Sequence, residues 1–370
     1  MANTLVTALG YANNTSTTPL ALNTAYDTKY GTYLKLFSGE LFKGFQHNTI
    51  ARDLVMKRTL KNGKSLQFIY TGRMGSSYHV PGEPILGTNN PPVAEKTIVM
   101  DDLLISSAFV YDLDETLAHY ELRGEIAKKI GYALAEKYDR LIFRAITRGA
   151  RAAHPISATG KLEPGGATIQ VGSGTGAAAD ALDDGKLVTA FFEAAAVLDE
   201  KGVSSDGRVA VISPRQYYSL IESVSSNALI NRDIQGTGLQ SGEGVISIAG
   251  IKILKSMNIP FQGKYGTAST IDNPGSFVGA TIEDGEPSVQ GINNDYGPAN
   301  GFATSCGLIF QKEAAGVVEA IGPQVQVTSG DVSVIYQGDV ILGRLAMGAD
   351  YLNPASCIEL HTTSTAPSAF

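Results

Sequence analysis

Residues 114–148 contain no proline, and within them Leu122, Ile126, Ile130, Leu134, Tyr138, Ile142 and Ile146 recur at unbroken i+4 spacing. The spacing predicts one α-helix, and about 35 residues at 1.5 Å each make a rod of roughly 50 Å. Such a rod exceeds the usual globular range, and its i+4 drift differs from the 3.5-residue seam of a coiled coil. The apolar stripe therefore winds round the helix, which has to pack on more than one layer, as a spine. Asp112 with Glu115 three residues later gives a capping-box-like start, and Gly149 a C-terminal stop.

A chain built round such a spine has 370 residues, enough for two or three domains at about 150 residues each. Only 18% of them are charged, against about 25% in an average soluble protein, and 41 are glycine, well above the roughly 7% usual share. A formal charge of −7 argues against a chain that coats nucleic acid, which needs a concentrated basic face. These features read as a subunit with large interfaces before a monomeric enzyme. The first basic residue, Lys29, implies no signal-peptide start, and no apolar run reaches the length of about 18 that spans a membrane. Cys306 and Cys357 lie in strand-like contexts (ATSCGLIF, PASCIEL) and set neither a disulfide framework nor a metal pattern, so both are expected to be core thiols.

Residues 1–28, rich in Thr, Asn and Ala, read as an extended arm, and Tyr33, Phe37, Leu41 and Phe45 as one stripe of a short helix. SLQFIY alternates Leu66, Phe68 and Tyr70 with polar neighbours, and KTIVMDDLLISSAFVY gives further strand signals. The Gly-, Pro- and Asn-rich stretch between them makes the pair a two-stranded flap with an irregular tip, which is marginal unless it lies on something else. Residues 157–176 read as a flexible segment. A helix (LVTAFFEAAAVLDEKG), a strand (RVAVIS), a helix start at Ser213-Pro214 and a strand (IKIL) follow. Residues 262–305 read as a glycine-rich insertion, and GLIFQKEAAGVVEA, VQVTSG, DVSVIYQ and SCIELH as late strand signals. Helices and strands do not strictly alternate, which indicates an α+β fold.

The sharpest enzymatic candidate is FVYDLDETLAHY. Its Asp112-x-Asp114-x-Thr116 resembles the first motif of haloacid-dehalogenase-like phosphatases, in which the first aspartate attacks phosphorus, the second acts as acid/base, and both help hold magnesium. Ser213, Lys252 or Lys255, and Asp339 offer partial echoes of the later motifs. Against it, some 110 residues precede a motif that should end the first strand of a parallel sheet. The helix begins inside the motif, and Gly343 stands where a second acid is expected. Helix capping by Asp112, Asp114 and Glu115 is the preferred reading. A magnesium-dependent phosphatase using Asp112 and Asp114 stays as the alternative. GSGTG at 172–176 lacks the lysine of a phosphate-binding loop, and His47, His79, His119, His154 and His361 show no ligand spacing, so no cofactor or metal is expected.

One charge pattern stands out. Arg52, Lys57, Arg58, Lys61, Lys64 and Arg73 face a single acid, Asp53, while Asp101, Asp102, Asp112, Asp114, Glu115, Glu121 and Glu125 face only Arg123. As a set they suit contact between the flap of one subunit and the helix start of another, and Arg52, Lys57, Arg58, Lys61, Lys64, Arg73, Asp112, Asp114, Glu115 and Glu121 are the candidate inter-subunit residues.

Taken in order, Gly63-Lys64-Ser65-x-Gln67-Phe68, Gly72-Arg73, Tyr78 and Pro81-Gly82-Glu83 resemble the extended-loop region of major capsid proteins from T-seven-like short-tailed phages. Tyr111-Asp112, His119-Tyr120 and Arg123 match the start of that family's spine helix. RVAVISPRQYYSLI (208–221), AGIKILKSMNIP (249–260) and LAMGADYLNPAS (345–356) resemble its later blocks. The form is most similar to relatives that infect marine cyanobacteria.

The resemblance implies the Hong Kong 97-type capsid fold: an N-terminal arm (1–50), an extended β-hairpin loop (51–110), a peripheral domain carrying the spine helix (111–180 and 320–370) and an axial domain (181–319). It implies a non-enzymatic major capsid protein that self-assembles into the icosahedral shell round the double-stranded DNA of a tailed phage. The expected partners are copies of itself in hexamers and pentamers, a scaffolding protein, a portal protein and a decoration protein. DNA is enclosed without specific binding, no membrane is involved, and assembly takes place in the host cytoplasm. No isopeptide crosslink is expected.

Overall fold

The computed structural model describes residues 12–13, 21–22, 50–72, 74–76, 78–85, 87, 91–101, 103–113, 122–153, 157–158, 161–162, 164–172, 178–222, 247–259, 304–327, 336–363 and 367. Among them, two short strands, β1 (Ala12–Asn13) and β2 (Ala21–Leu22), pair antiparallel. A 3-10 turn at Ala51–Asp53 leads into β3 (Met56–Thr59), and β4 (Ser65–Thr71) and β5 (Val93–Val99) form a hairpin. After β6 (Leu104–Tyr111) comes the long helix α1 (Leu122–Ala150). Two-residue strands β7 (Ser157–Ala158) and β8 (Lys161–Leu162) precede β9 (Ala167–Gln170) and helix α2 (Asp184–Glu200). Strand β10 (Val209–Ile212), helix α3 (Pro214–Glu222) and strands β11 (Ser247–Ile248) and β12 (Ile251–Lys255) follow. The chain closes with β13 (Ser305–Phe310), β14 (Ala315–Val327), β15 (Gly338–Tyr351) and β16 (Cys357–His361). A mixed six-stranded sheet has the order β11-β12-β10-β13-β16-β9, and a four-stranded sheet the order β3-β14-β15-β6.

The chain forms two compact units. The first comprises Met1–His47, Leu103–Leu134 and Ile321–Leu345. Within it β6 pairs antiparallel with the start of β15, from Gly338↔Tyr111 to Leu345↔Leu104. Val110, Ile130, Leu134 and Ile341 make its core, with Leu104, Ala108, Ile126 and Ala127 packed round them. A Cβ at Gly343 would strike Ile130 Cγ2 and, at 2.9 Å, Leu134 Cδ1. The residue that a phosphatase would use as an acid is here the seat of the helix.

The second unit comprises Asn48–Asp102, Ala135–Ala320 and Ala346–Phe370. Its core lies between the six-stranded sheet and α2 with α3. Leu187, Ala190, Phe191, Ala194 and Leu198 of α2 and Tyr217 and Leu220 of α3 meet Ala210, Ile212, Ile253, Ile309, Ile358 and Leu360. Strands β10, β13 and β16 are buried along their whole length; β10 is wholly apolar, while β13 and β16 also bury Ser305, Glu359 and His361. Both helices start as their sequences dictate. The Asp183 carboxylate accepts from Lys186 N at 3.1 Å. At α3, Ser213 Oγ accepts from Gln216 N while Gln216 Oε1 accepts from Ser213 N at 2.9 Å, a reciprocal capping box with Pro214 at the first helical position.

The structure corrects the sequence reading at three places. Gly149 does not end α1, which runs on to Ala150. A Cβ there would lie 2.8 Å from Cys357 Sγ and from Tyr351 Cβ, so this glycine serves close packing and not a cap. Within the segment read as flexible, residues 157–176, Ala167–Gln170 is the edge strand β9, parallel to β16, because Ile169 and Val171 reach the core. The fourteen-residue β15 gave no sequence signal of its own, since its glycines and Arg344 break the alternation. The i+4 ladder holds: Ile130, Leu134, Tyr138, Ile142 and Ile146 are buried. Cys306 and Cys357 are both buried free thiols, their pKa values pushed up by burial. Asp112 and Leu113 are helical, and the expected helix start at 114–121, the stripe at Tyr33–Phe45, most of GSGTG, DVSVI and nearly all of 262–305 lie outside the described residues. No helix among the described residues is long and apolar enough to cross a membrane.

Candidate functional site

The flap hairpin alternates strictly. Leu66, Phe68 and Tyr70 of β4 and Ala94, Lys96 and Ile98 of β5 share one face, paired Leu66↔Ile98, Phe68↔Lys96 and Tyr70↔Ala94. Every residue of the other face is exposed, as a half-buried ribbon demands. Yet that outer face is not uniformly polar: Ile69 is 77% exposed, Val93 64% and Val99 53%. The tip adds Met74, Val80, Ile85 and a fully exposed Tyr78. This exposed apolar set makes the outer flap face the candidate interaction surface.

The segment that leads into the flap is firmly anchored in the second unit. Ala51 and Val55 are buried, and Asp139 of α1 accepts from Ile50 N at 2.9 Å and Ala51 N at 3.2 Å. Asn258 Nδ2 donates to the same carboxylate at 3.4 Å. One turn position away, Glu319 of β14 gathers three donors. Arg52 binds it through Nε and Nη2, both at 3.2 Å, Lys57 Nζ lies 2.7 Å from Oε2, and Tyr138 OH donates to Oε1 at 2.7 Å. Strand β3 pairs parallel with Gly316–Glu319, and Leu60 N donates to Glu319 O at 2.8 Å.

Burial alone would raise the Glu319 pKa, but hydrogen bonds from Lys57, Tyr138 and Arg52 hold it below the usual carboxylate range. Its neighbour Tyr138 is pushed up by burial and by that carboxylate. A depressed folded pKa means the contribution is complete above the unfolded value of about 4.3 and is lost as pH falls through the folded one. Glu319→Gln is therefore expected to cost about 1–2 kcal/mol of stability at pH 7, since Arg52 and Lys57 are partly solvated. In urea unfolding the variant and the wild type should begin to converge below about pH 4 and meet only once the pH is below the depressed folded pKa.

Of the candidate contact residues, the structure thus brings Arg52 and Lys57 together on an acid of their own chain. Arg58 lies over the Phe68 ring at 4.8 Å, and Lys61 and Lys64 are exposed. Asp112 is exposed and its N–H donates to Gln337 O at 3.1 Å. Arg73, Asp114, Glu115 and Glu121 lie outside the described residues. The sequence reading missed Glu319, Tyr138 and the outer apolar face. Only the last had a local signal, in Ile69, Val93 and Val99 falling on the polar phase of the alternation. For the phosphatase reading, Asp112 follows β6, which is antiparallel to β15 at the end of its sheet, where that chemistry requires the end of a parallel strand. Ser213 caps α3, and Lys255 Nζ donates to Tyr218 OH at 2.9 Å. No group of three or more His, Cys, Asp or Glu side chains that could hold a metal is found among the described residues.

Two further polar clusters tie elements of the second unit together. Lys96 Nζ on the inner flap face lies 2.9 Å from Asp350 Oδ2 and 3.8 Å from the Tyr351 ring centroid. In the core, Arg151 Nε and Nη2 each donate to Glu359 at 2.6 Å, and Ser305 Oγ also bonds that carboxylate.

Residues 67–359 match the family model described as Gp10A-like major capsid protein. The chain is 26% identical to the major capsid protein of Escherichia phage T7 over 202 residues, 54% of this chain and 59% of that protein. Its identity to the major capsid protein of Enterobacteria phage T3 is 28% over 205 residues, 54% and 58% of the two chains. The chain thus spans less than two thirds of the length of these relatives. Among solved structures, the capsid of cyanophage P-SCSP1u superposes with a TM-score of 0.67 at 30% identity, covering 98% of this chain and 100% of that one. The mature capsid of bacteriophage PhiM1 shares the fold, with a TM-score of 0.65 at 15% identity over 90% and 93% of the chains.

Proposed function

The chain belongs to the Gp10A-like major capsid protein family, and from that membership we propose that it is the shell subunit of a tailed phage, self-assembling into an icosahedral container for double-stranded DNA. The observation that carries the reading is the outer flap face, where Ile69, Val93 and Val99 stand exposed on a ribbon rooted firmly in its own chain. In the shell this face lies on a second copy. Hexamers and pentamers repeat the contact many times, so contacts weak one by one add to a strong assembly. Arg58, Lys61 and Lys64, with Arg73, serve as the basic side of that contact, and Asp112, Asp114, Glu115 and Glu121 as the acidic side, setting register and encounter rate. Arg52 and Lys57 hold the root of the flap on Glu319 and present their remaining surface at its edge.

In this account residues 1–50 act as the arm, 51–110 as the extended loop, 111–180 with 320–370 as the peripheral domain and 181–319 as the axial domain. A scaffolding protein and a portal guide assembly in the host cytoplasm, and a decoration protein attaches to the finished shell. The net charge of −7 suits a container that encloses DNA without gripping it. The subunit performs no catalysis. Velocity sedimentation of the protein expressed with its scaffold tests the reading: most of it is expected in a fast particle peak, and a chain sedimenting only as monomer or small oligomer would overturn it.

A further inference from the structure

The flap is fixed to its own unit by a graded set of contacts. At the root, Ile98 is fully buried and Met100 nearly so, Met100 N donates to Lys64 O at 2.8 Å, and Asp101 N donates to Met347 O at 3.1 Å. One inward step further out, the side chain in line with Ile98 is not apolar but Lys96. Its ammonium bonds Asp350 at 2.9 Å and sits over the Tyr351 ring. The Asp350 carboxylate is itself held in place, by Tyr351 N at 2.9 Å and by Arg148 of α1 at 3.9 Å. Burial along β5 shows the same gradient, since Ile98 is the single buried residue of that strand.

A lysine at this position is informative. An apolar residue would weld the ribbon to β15 by the same non-directional burial that holds Ile98, whereas an ion pair with a cation–π contact is directional and solvent-exchangeable. We propose that Lys96, with Asp350 and Tyr351, is a releasable latch that sets the pose of the flap: closed, it holds the ribbon against β15, and released, it leaves a ribbon hinged at its buried root. Lys96 and Asp350 are then positioning residues for whatever surface the outer flap face meets.

Amide hydrogen exchange on the unassembled full-length chain tests this, and because no shell is involved its outcome is separate from whether shells form. Lys96→Ser, which removes the ion pair and the ring contact without adding apolar burial, is expected to raise exchange of the β4 and β5 amides about tenfold while β10 and β13 stay protected. Asp350→Asn is expected to do the same, and Lys96→Arg to restore slow exchange. Unchanged flap exchange in both Lys96→Ser and Asp350→Asn, or an increase shared equally by β10 and β13, would overturn the latch.

Discussion

Replacing Ile69 and Val93 with aspartate is expected to abolish shell formation while leaving the subunit folded. Both side chains are more than half exposed in the single chain, so their removal takes nothing from its core. If the outer flap face is covered by a second copy, each substitution forfeits the roughly 1.5–3 kcal/mol that burying such a side chain contributes and adds the cost of dehydrating a charge. At 1.4 kcal/mol per tenfold, the pair weakens each contact by a factor of at least about a hundred. Because the contact recurs throughout the assembly, particle yield should fall to background. The expected result is a monomer with a thermal midpoint within about 2 °C of the wild type and no fast-sedimenting particles. Normal particle yield from the double variant would show that this face stays in solvent.

The largest stability loss is expected at Arg151. Its guanidinium makes two 2.6 Å bonds to Glu359, a carboxylate with no exposed surface, at the point where the end of α1 meets the central sheet. Arg151→Met leaves that charge buried and bound only by neutral donors such as Ser305, which typically costs about 3–5 kcal/mol. In thermal unfolding the midpoint should fall by about 10 °C. Arg151→Met combined with Glu359→Leu is expected to recover most of the loss, since replacing a whole buried pair by packed apolar groups is often neutral. His361, whose pKa burial pushes down, gains no new charged neighbour in that double variant. An unchanged midpoint in the single variant would mean that water reaches the pair.

The contrast between these two sites shows what the chain discloses in one dimension. Anything repeated locally was legible: the i+4 ladder of α1, the alternation of β4, and the Ser213-Pro214 helix start all carry their structure in adjacent residues. The order of short blocks along the chain also disclosed the family. Contacts closed by the fold were not legible. Arg52 and Glu319 are 267 positions apart, and Arg151 and Glu359 are 208 apart, so no window contains both partners. Counting charges along residues 52–73 therefore treated Arg52 and Lys57 as free for another subunit, when Glu319 already binds them. Strand β15 was hidden for a related reason. Gly343 faces the helix and Gly348 closely approaches Val99 O, so tertiary packing set residues that disrupt its local pattern.

Shell-building through the flap is the reading that cryo-electron microscopy of the protein co-expressed with its scaffold puts to the test. The expected images show closed icosahedral shells of uniform diameter, and their reconstruction places Ile69, Val93 and Val99 of each subunit against a neighbouring copy. Unassembled protein or irregular aggregates, or closed shells in which the outer flap face points into solvent, would contradict it.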